Sequence, residues 1–122
     1  MVDLRLPVSD ELRSLLAKLG LGASFAIVTP CDPRGRRSPA WLNLVRYVRT
    51  RLLLRSRKLR FLPADGASPD SRHRERGFAI AIGRADAGSL ARELEQLALY
   101  WFDGEAFWID GALAERPPQR LP

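Results

Sequence analysis

The sequence predicts an α+β domain with a ferredoxin-like or related strand-helix-strand-strand-helix-strand core, an extra N-terminal helix and a C-terminal β-hairpin. Three observations lead there. Short apolar runs such as Phe25-Ala26-Ile27-Val28-Thr29 and Phe78-Ala79-Ile80-Ala81-Ile82 have the length of buried strands. Helical periodicity falls between such runs rather than apart from them. Asp103-Gly104 joins two aromatic-rich runs, a strong hairpin signal.

Each element follows from local chemistry. Ser9 is an N-cap, with Asp10 and Glu11 where acids suit the helix dipole. Leu12, Leu15, Leu16 and Leu19 then repeat at i, i+3, i+4, i+7, and Gly20 stops the helix. The run from Phe25 ends at Pro30 as a buried strand, and Cys31 to Ser38 is a basic loop. Ser38-Pro39 opens a second helix, expected to run to Arg55 or Arg57. On it Trp41, Leu44, Val45, Val48 and Leu52 share one face, with Asn43, Arg46, Thr50 and Arg57 opposite.

Leu59 to Pro63 reads as a short strand, and Gly77 to Gly83 as a central one, apolar on both sides. Asp86 or Ser89 opens a third helix carrying Leu90, Leu94 and Leu97. Leu99–Phe102 and Glu105–Ile109 form the hairpin. In it Tyr100, Phe102 and Phe107 share one sheet face, and Trp101 and Trp108 the other. One set packs on the helices. The other is covered by the N-terminal helix or left as a platform for stacking bases. Residues 1–111 are expected to form a single domain, and 112–122 a flexible tail.

At 122 residues and 46% apolar content, the chain buries roughly two thirds of its unfolded surface without needing a disulfide or metal. Cys31 is the only cysteine, which excludes an internal disulfide and a cysteine-rich zinc site. No stretch approaches the ~18 apolar residues of a membrane span. Asp3, Pro7, Asp10 and Glu11 stand where a signal peptide would be basic and then apolar. A cytoplasmic protein with no membrane partner and no cofactor is the expectation.

The net charge is +6, and its distribution is uneven. No acid lies between Asp32 and Asp65, whereas Arg34, Arg36, Arg37, Arg46, Arg49, Arg51, Arg55, Arg57, Lys58 and Arg60 all do. Such a surface attracts phosphates. Arginine far outnumbers lysine, and alanine, leucine, glycine and proline are plentiful, a composition that a GC-rich genome also produces.

The segment 65–77 holds the one histidine between two strand-like runs. His73 and Glu75 stand two apart, so in an extended segment both project to one side, where a carboxylate can hold an imidazole for acid–base work. Asp65 and Asp70 add an acidic rim. The competing reading is a solvated loop whose Arg72, Arg74 and Arg76 interleave with Glu75. One histidine with carboxylates could hold magnesium or manganese, but no spacing specifies a metal. Ser68, Ser71 and Cys31 are weak nucleophile candidates without a second histidine to serve them.

Several of these residues carry a family resemblance. Phe25–Thr29, Asp32-Pro33-Arg34-Gly35, Asn43, Phe61-x-Pro63-Ala64-x-Gly66, Pro69-Asp70-x-x-His73-x-Glu75-x-Gly77-Phe78 and Gln96-x-Ala98-x-Tyr100 together resemble the bacterial domain-of-unknown-function family numbered 3293. The resemblance covers about Phe25 to Ile109 and singles out Asn43, Asp70, His73, Glu75 and Gln96. It implies no reaction. Ser71, Arg72 and Arg76 depart from the family's usual loop, and Glu95-Gln96 replaces its Gly-Gln pair.

The leading expectation is a binding module for nucleic acid or another phosphate-bearing partner, gripped by Arg34, Arg36, Arg37, Arg46 and Arg49 with Asn43 and Gln96 nearby. The alternatives are a small hydrolase-like enzyme using His73 with Glu75 or Asp70, and a regulatory module acting as a homodimer.

Overall fold

The structure, a computed structural model, describes residues 1–70 and 72–122. The first apolar helix is α1 (Asp10–Ala17), capped as predicted by Ser9, whose hydroxyl accepts from the Leu12 amide at 3.1 Å. Strand β1 (Phe25–Val28) is followed by a tight turn at Pro33–Gly35 and by α2 (Ala40–Ser56). Then come β2 (Phe61–Pro63), the short pair β3 (Gly66–Ala67) and β4 (Arg74–Glu75), β5 (Phe78–Ile80), α3 (Arg84–Glu93), β6 (Ala98–Phe102), β7 (Phe107–Gly111) and β8 (Gln119–Arg120).

The result is α+β. Six strands form one antiparallel sheet in the order β2-β5-β1-β6-β7-β8, and β3-β4 make a separate ribbon. Each sheet helix skips a strand: α2 carries the chain from β1 to β2 past β5, and α3 from β5 to β6 past β1. Strand β5 is central, as its two-sided apolar pattern predicts, and all three of its residues are buried.

Strand alternation sorts the core into two layers. On one face Ala26, Val28, Phe78, Ile80, Leu99 and Trp101 pack with Tyr47 and Leu54 of α2 and Ala87, Leu90 and Ala91 of α3. On the other, Phe25, Ala79, Phe102 and Phe107 pack with Leu16 of α1 and Leu21. The platform reading of the hairpin is thereby corrected: Phe102 and Phe107 are covered, and of that set only Tyr100 reaches solvent. Both faces of an antiparallel sheet with aromatics on each side need covering, and α1 supplies the second cover.

Helix α2 departs most from its sequence pattern. Its buried residues are Tyr47, Thr50 and Leu54, the arc expected to be polar. Trp41 (67% exposed), Leu44, Val45, Val48 and Leu52 (58%) face outward. The inversion has a packing cause. Tyr47 stacks on Phe78 with ring centroids 4.6 Å apart, and Leu54 is wholly buried in the same layer. Two well-packed residues on the minor arc outweigh a wider stripe that the sheet cannot also reach.

Smaller differences concern boundaries. Pro39, not Ser38, sits at the α2 N-cap, and the Ser38 hydroxyl instead accepts from Arg46 at 2.7 Å. Helix α3 begins at Arg84, before Asp86. The hairpin turn is wider than two residues. The Asp103 carboxylate accepts from the amides of Glu105 and Ala106 and from Trp108 Nε1, all at 2.8 Å, making Asp103–Ala106 a closed loop. In the segment expected to be a loose tail, Gln119–Arg120 pairs with β7 and Leu121 packs on the α1 side of the core.

Candidate functional site

The loop after β1 is held by the side chains of Asn43 and Gln96 and by the backbone at Arg76. The Thr29 hydroxyl donates to the Arg76 carbonyl at 2.7 Å and accepts from the Cys31 amide at 3.0 Å. Gln96 Nε2 donates to the Cys31 carbonyl at 3.0 Å. Asn43 Oδ1 accepts from the Asp32 amide at 3.0 Å, and Asn43 Nδ2 donates to Asp32 Oδ1 at 2.9 Å. The Ser38 amide adds a second donor to Asp32 Oδ1 at 2.8 Å.

These bonds hold an unusual backbone. Asp32 (φ 47°) and Arg34 (φ 59°) are both left-handed, a conformation costing non-glycine residues about 1 kcal/mol or more. Gly35 (φ 72°) continues the turn at no such cost. The turn brings Asp32, 9% exposed, to the wall of a cleft.

The ribbon β3-β4 delivers the other half of the site. His73 and Glu75 do project to one side, with Nε2 3.3 Å from Oε1. The Ser68 hydroxyl accepts from the His73 amide at 3.1 Å, and the Ser68 amide donates to the His73 carbonyl at 2.8 Å. Asp32, His73 and Glu75 offer ligand atoms all within 4.8 Å of one another. Such a mixed nitrogen and oxygen set has donors suited to manganese, iron or zinc.

The cleft beside them has a volume of about 350 Å³, and its polar lining residues include Thr29, Asp32, Glu75, Gln96 and Arg116. Its floor is Ile27, Ala98, Tyr100 and Ile109 from the sheet. Gly77 lets two chain segments meet at the wall: a Cβ there would lie 2.9 Å from the Val28 carbonyl oxygen and 3.0 Å from that of Ala64. Gln96 is 7% exposed, and its amide nitrogen is taken by the Cys31 and Leu94 carbonyls. Its Oε1 accepts no hydrogen bond among the described residues.

Electrostatics favour a charged Asp32. Burial pushes its carboxyl up, but the Asn43 and Ser38 hydrogen bonds, aided by His73 and Arg37, more than offset this and hold it below the usual value. Cys31 goes the other way, its thiol pushed up by burial, and is poorly suited to act as a nucleophile.

The other predicted site residues are scattered. Asp70 accepts from the Ser68 hydroxyl at 2.6 Å and the Arg72 amide at 3.1 Å and is not one of the group formed by Asp32, His73 and Glu75. Those bonds hold its carboxyl low. Ser71 lies outside the described residues. Arg34 pairs with Glu95 at 3.1 Å, and Arg46 donates to Ser38 and Asn43. Arg36, Arg37 and Arg49 are exposed, with Arg49 beside a smaller hollow at Pro30 and Thr50.

The family described as "Protein of unknown function (DUF3293)" matches residues 28–99, more than half of the chain. The chain belongs to that family. The matched span holds Asp32, Asn43, His73, Glu75, Gly77 and Gln96, and leaves out α1 and the second hairpin strand. No curated protein and no solved structure matches the chain. Of the DUF3293 residues recognised from sequence, Thr29, Asp32, Gly35, Ala64, Gly66, Glu75, Gly77, Gln96, Ala98 and Tyr100 line the one cleft. Asp32 had no assigned role in the sequence reading. Its place in the Asp-Pro-Arg-Gly motif was the available signal, but its partnership with Asn43 needs the fold.

Proposed function

We propose that the cleft is the active site of a small hydrolase-like enzyme in which His73 moves protons and Glu75 orients it. One observation carries the reading: the turn after β1 brings Asp32 within 4.8 Å of His73 and Glu75 on the ribbon, and Asp32 and Glu75 line a cleft of about 350 Å³. That volume suits a small metabolite. The carboxylates of Asp32 and Glu75 outnumber the one cation, Arg116, among the described residues of the cleft lining, which disfavours a bare phosphate and favours a neutral or cationic ester or amide.

With Glu75 Oε1 accepting from Nε2–H, the imidazole lone pair lies on Nδ1. His73 takes a proton from water as the water oxygen bonds to the carbonyl carbon. It returns that proton to the leaving group as the carbon–oxygen or carbon–nitrogen bond breaks. Asp32 stabilises the imidazolium formed between these steps, and Asn43 keeps Asp32 in place. Asp70 has no part in this, since its oxygens serve Ser68 and Arg72.

A second reading has support in the same distances: Asp32, His73 and Glu75 would hold a divalent cation that activates the water. A screen of ester, amide and phosphoester substrates, run with a chelator and with added manganese, separates the two. Turnover that survives the chelator supports acid–base catalysis, and turnover restored only by manganese supports the cation. No turnover of any class under either condition contradicts both. The phosphate-partner reading draws on Arg36, Arg37 and Arg49, which are exposed, and less on Arg34 and Arg46, which are already bonded. Its test is a steep loss of RNA or DNA binding with rising salt.

A further inference from the structure

We propose that the outward face of α2 docks on an anionic lipid surface. The stripe begins at Trp41 and continues at i+4, i+7 and i+11 through Val45, Val48 and Leu52, with Leu44 alongside. All five side chains are exposed on a helix whose opposite arc is locked to the sheet by Tyr47, Thr50 and Leu54. A contiguous apolar stripe of this size on a folded surface marks an interaction site.

The charge around the stripe selects its occupant. Helical periodicity places Arg49 on one flank of Val48 and Arg51 on the other, with Arg55 one turn beyond Arg51, and all three are exposed. The helix itself carries no acid, and none occurs between Asp32 and Asp65. The acids that share a hollow with Arg49, Glu93 and Glu95, are bound by Arg57 at 2.8 Å and Arg34 at 3.1 Å. An apolar ridge bordered on both sides by arginines matches a leaflet of acyl chains topped by phosphates. The aliphatic stems lie along the ridge while the guanidiniums reach the headgroups. Each arginine within reach of an anionic surface strengthens partition about fivefold.

A second copy of the chain is a poorer match. A two-fold pairing centred on Val48 would bring Arg49 and Arg51 against the same residues of the other copy, in molecules that each carry a net charge of +6. A flat-lying helix also does not need the length of a spanning one. No helix of the described residues is long and apolar enough to cross a membrane, and docking of this kind does not require it.

The test is co-sedimentation of the full chain with vesicles of equal parts phosphatidylglycerol and phosphatidylcholine, against phosphatidylcholine alone. The protein is expected to pellet with the anionic vesicles only. Val48→Asp and, separately, Trp41→Ala should each weaken binding about tenfold with an unchanged thermal melt. Arg49→Gln with Arg51→Gln should weaken it further. Three results would overturn the proposal. The first is no sedimentation with anionic vesicles, and the second is equal sedimentation of Val48→Asp. The third is a wild-type dimer by light scattering that Val48→Asp converts to monomer, which would give the face to a second copy.

Discussion

Asn43 and Asp32 exchange two hydrogen bonds, amide to Oδ1 at 3.0 Å in one direction and Nδ2 to Oδ1 at 2.9 Å in the other. A side chain on the first turns of α2 thereby fixes a left-handed residue at the cleft wall. Replacing Asn43 by Leu removes donor and acceptor at once and leaves a buried carboxylate short of a partner. The expected cost is about 1–3 kcal/mol in urea unfolding. A change below about 0.5 kcal/mol, the range of ordinary surface substitutions, would mean that the pair does not hold the loop.

The same pair sets an acid dependence. Asp32 has a lower pKa folded than unfolded, so its stabilising contribution is present above the ordinary carboxylate value and is lost as pH falls through the depressed one. Unfolding free energies of wild type and Asp32→Asn should differ most at neutral pH and converge in acid. Curves that stay parallel down to acid would contradict the assignment.

The inverted face of α2 gives a paired test. Leu54→Ala should cost about 2–5 kcal/mol, because Leu54 is fully buried between helix and sheet. Val48→Ala should stay within about 0.5 kcal/mol. Equal costs would return the apolar stripe to the core.

Gly77→Ala should destabilise by about 1–3 kcal/mol, since its Cβ would press on two carbonyl oxygens of the backbone, which cannot swing aside as a side chain would. A thermal melt unchanged from wild type would show that the strand ends can part there.

Much of this was legible in the chain. The apolar runs at Phe25 and Phe78 marked strands, and the two-residue spacing of His73 and Glu75 placed both on one side of an extended segment. Other features were hidden for physical reasons. Residue periodicity shows that α2 has an apolar stripe, but only the fit of Tyr47 against Phe78 decides which arc is buried. Asp103-Gly104 signalled a turn, but the three donors captured by the Asp103 carboxylate set its width. Asp32 looked like one end of an acid-free segment. Its role depends on Asn43, eleven residues away, and on a ribbon that brings His73 alongside.

The most direct test of the cleft as an active site is a comparison of turnover by wild type and His73→Ala on whichever substrate class the screen identifies. His73 is exposed beside Asp32 and Glu75, so the variant should fold with an unchanged melting temperature while kcat/KM falls about 10²–10⁴-fold. A folded His73→Ala protein that turns over at the wild-type rate would contradict the account.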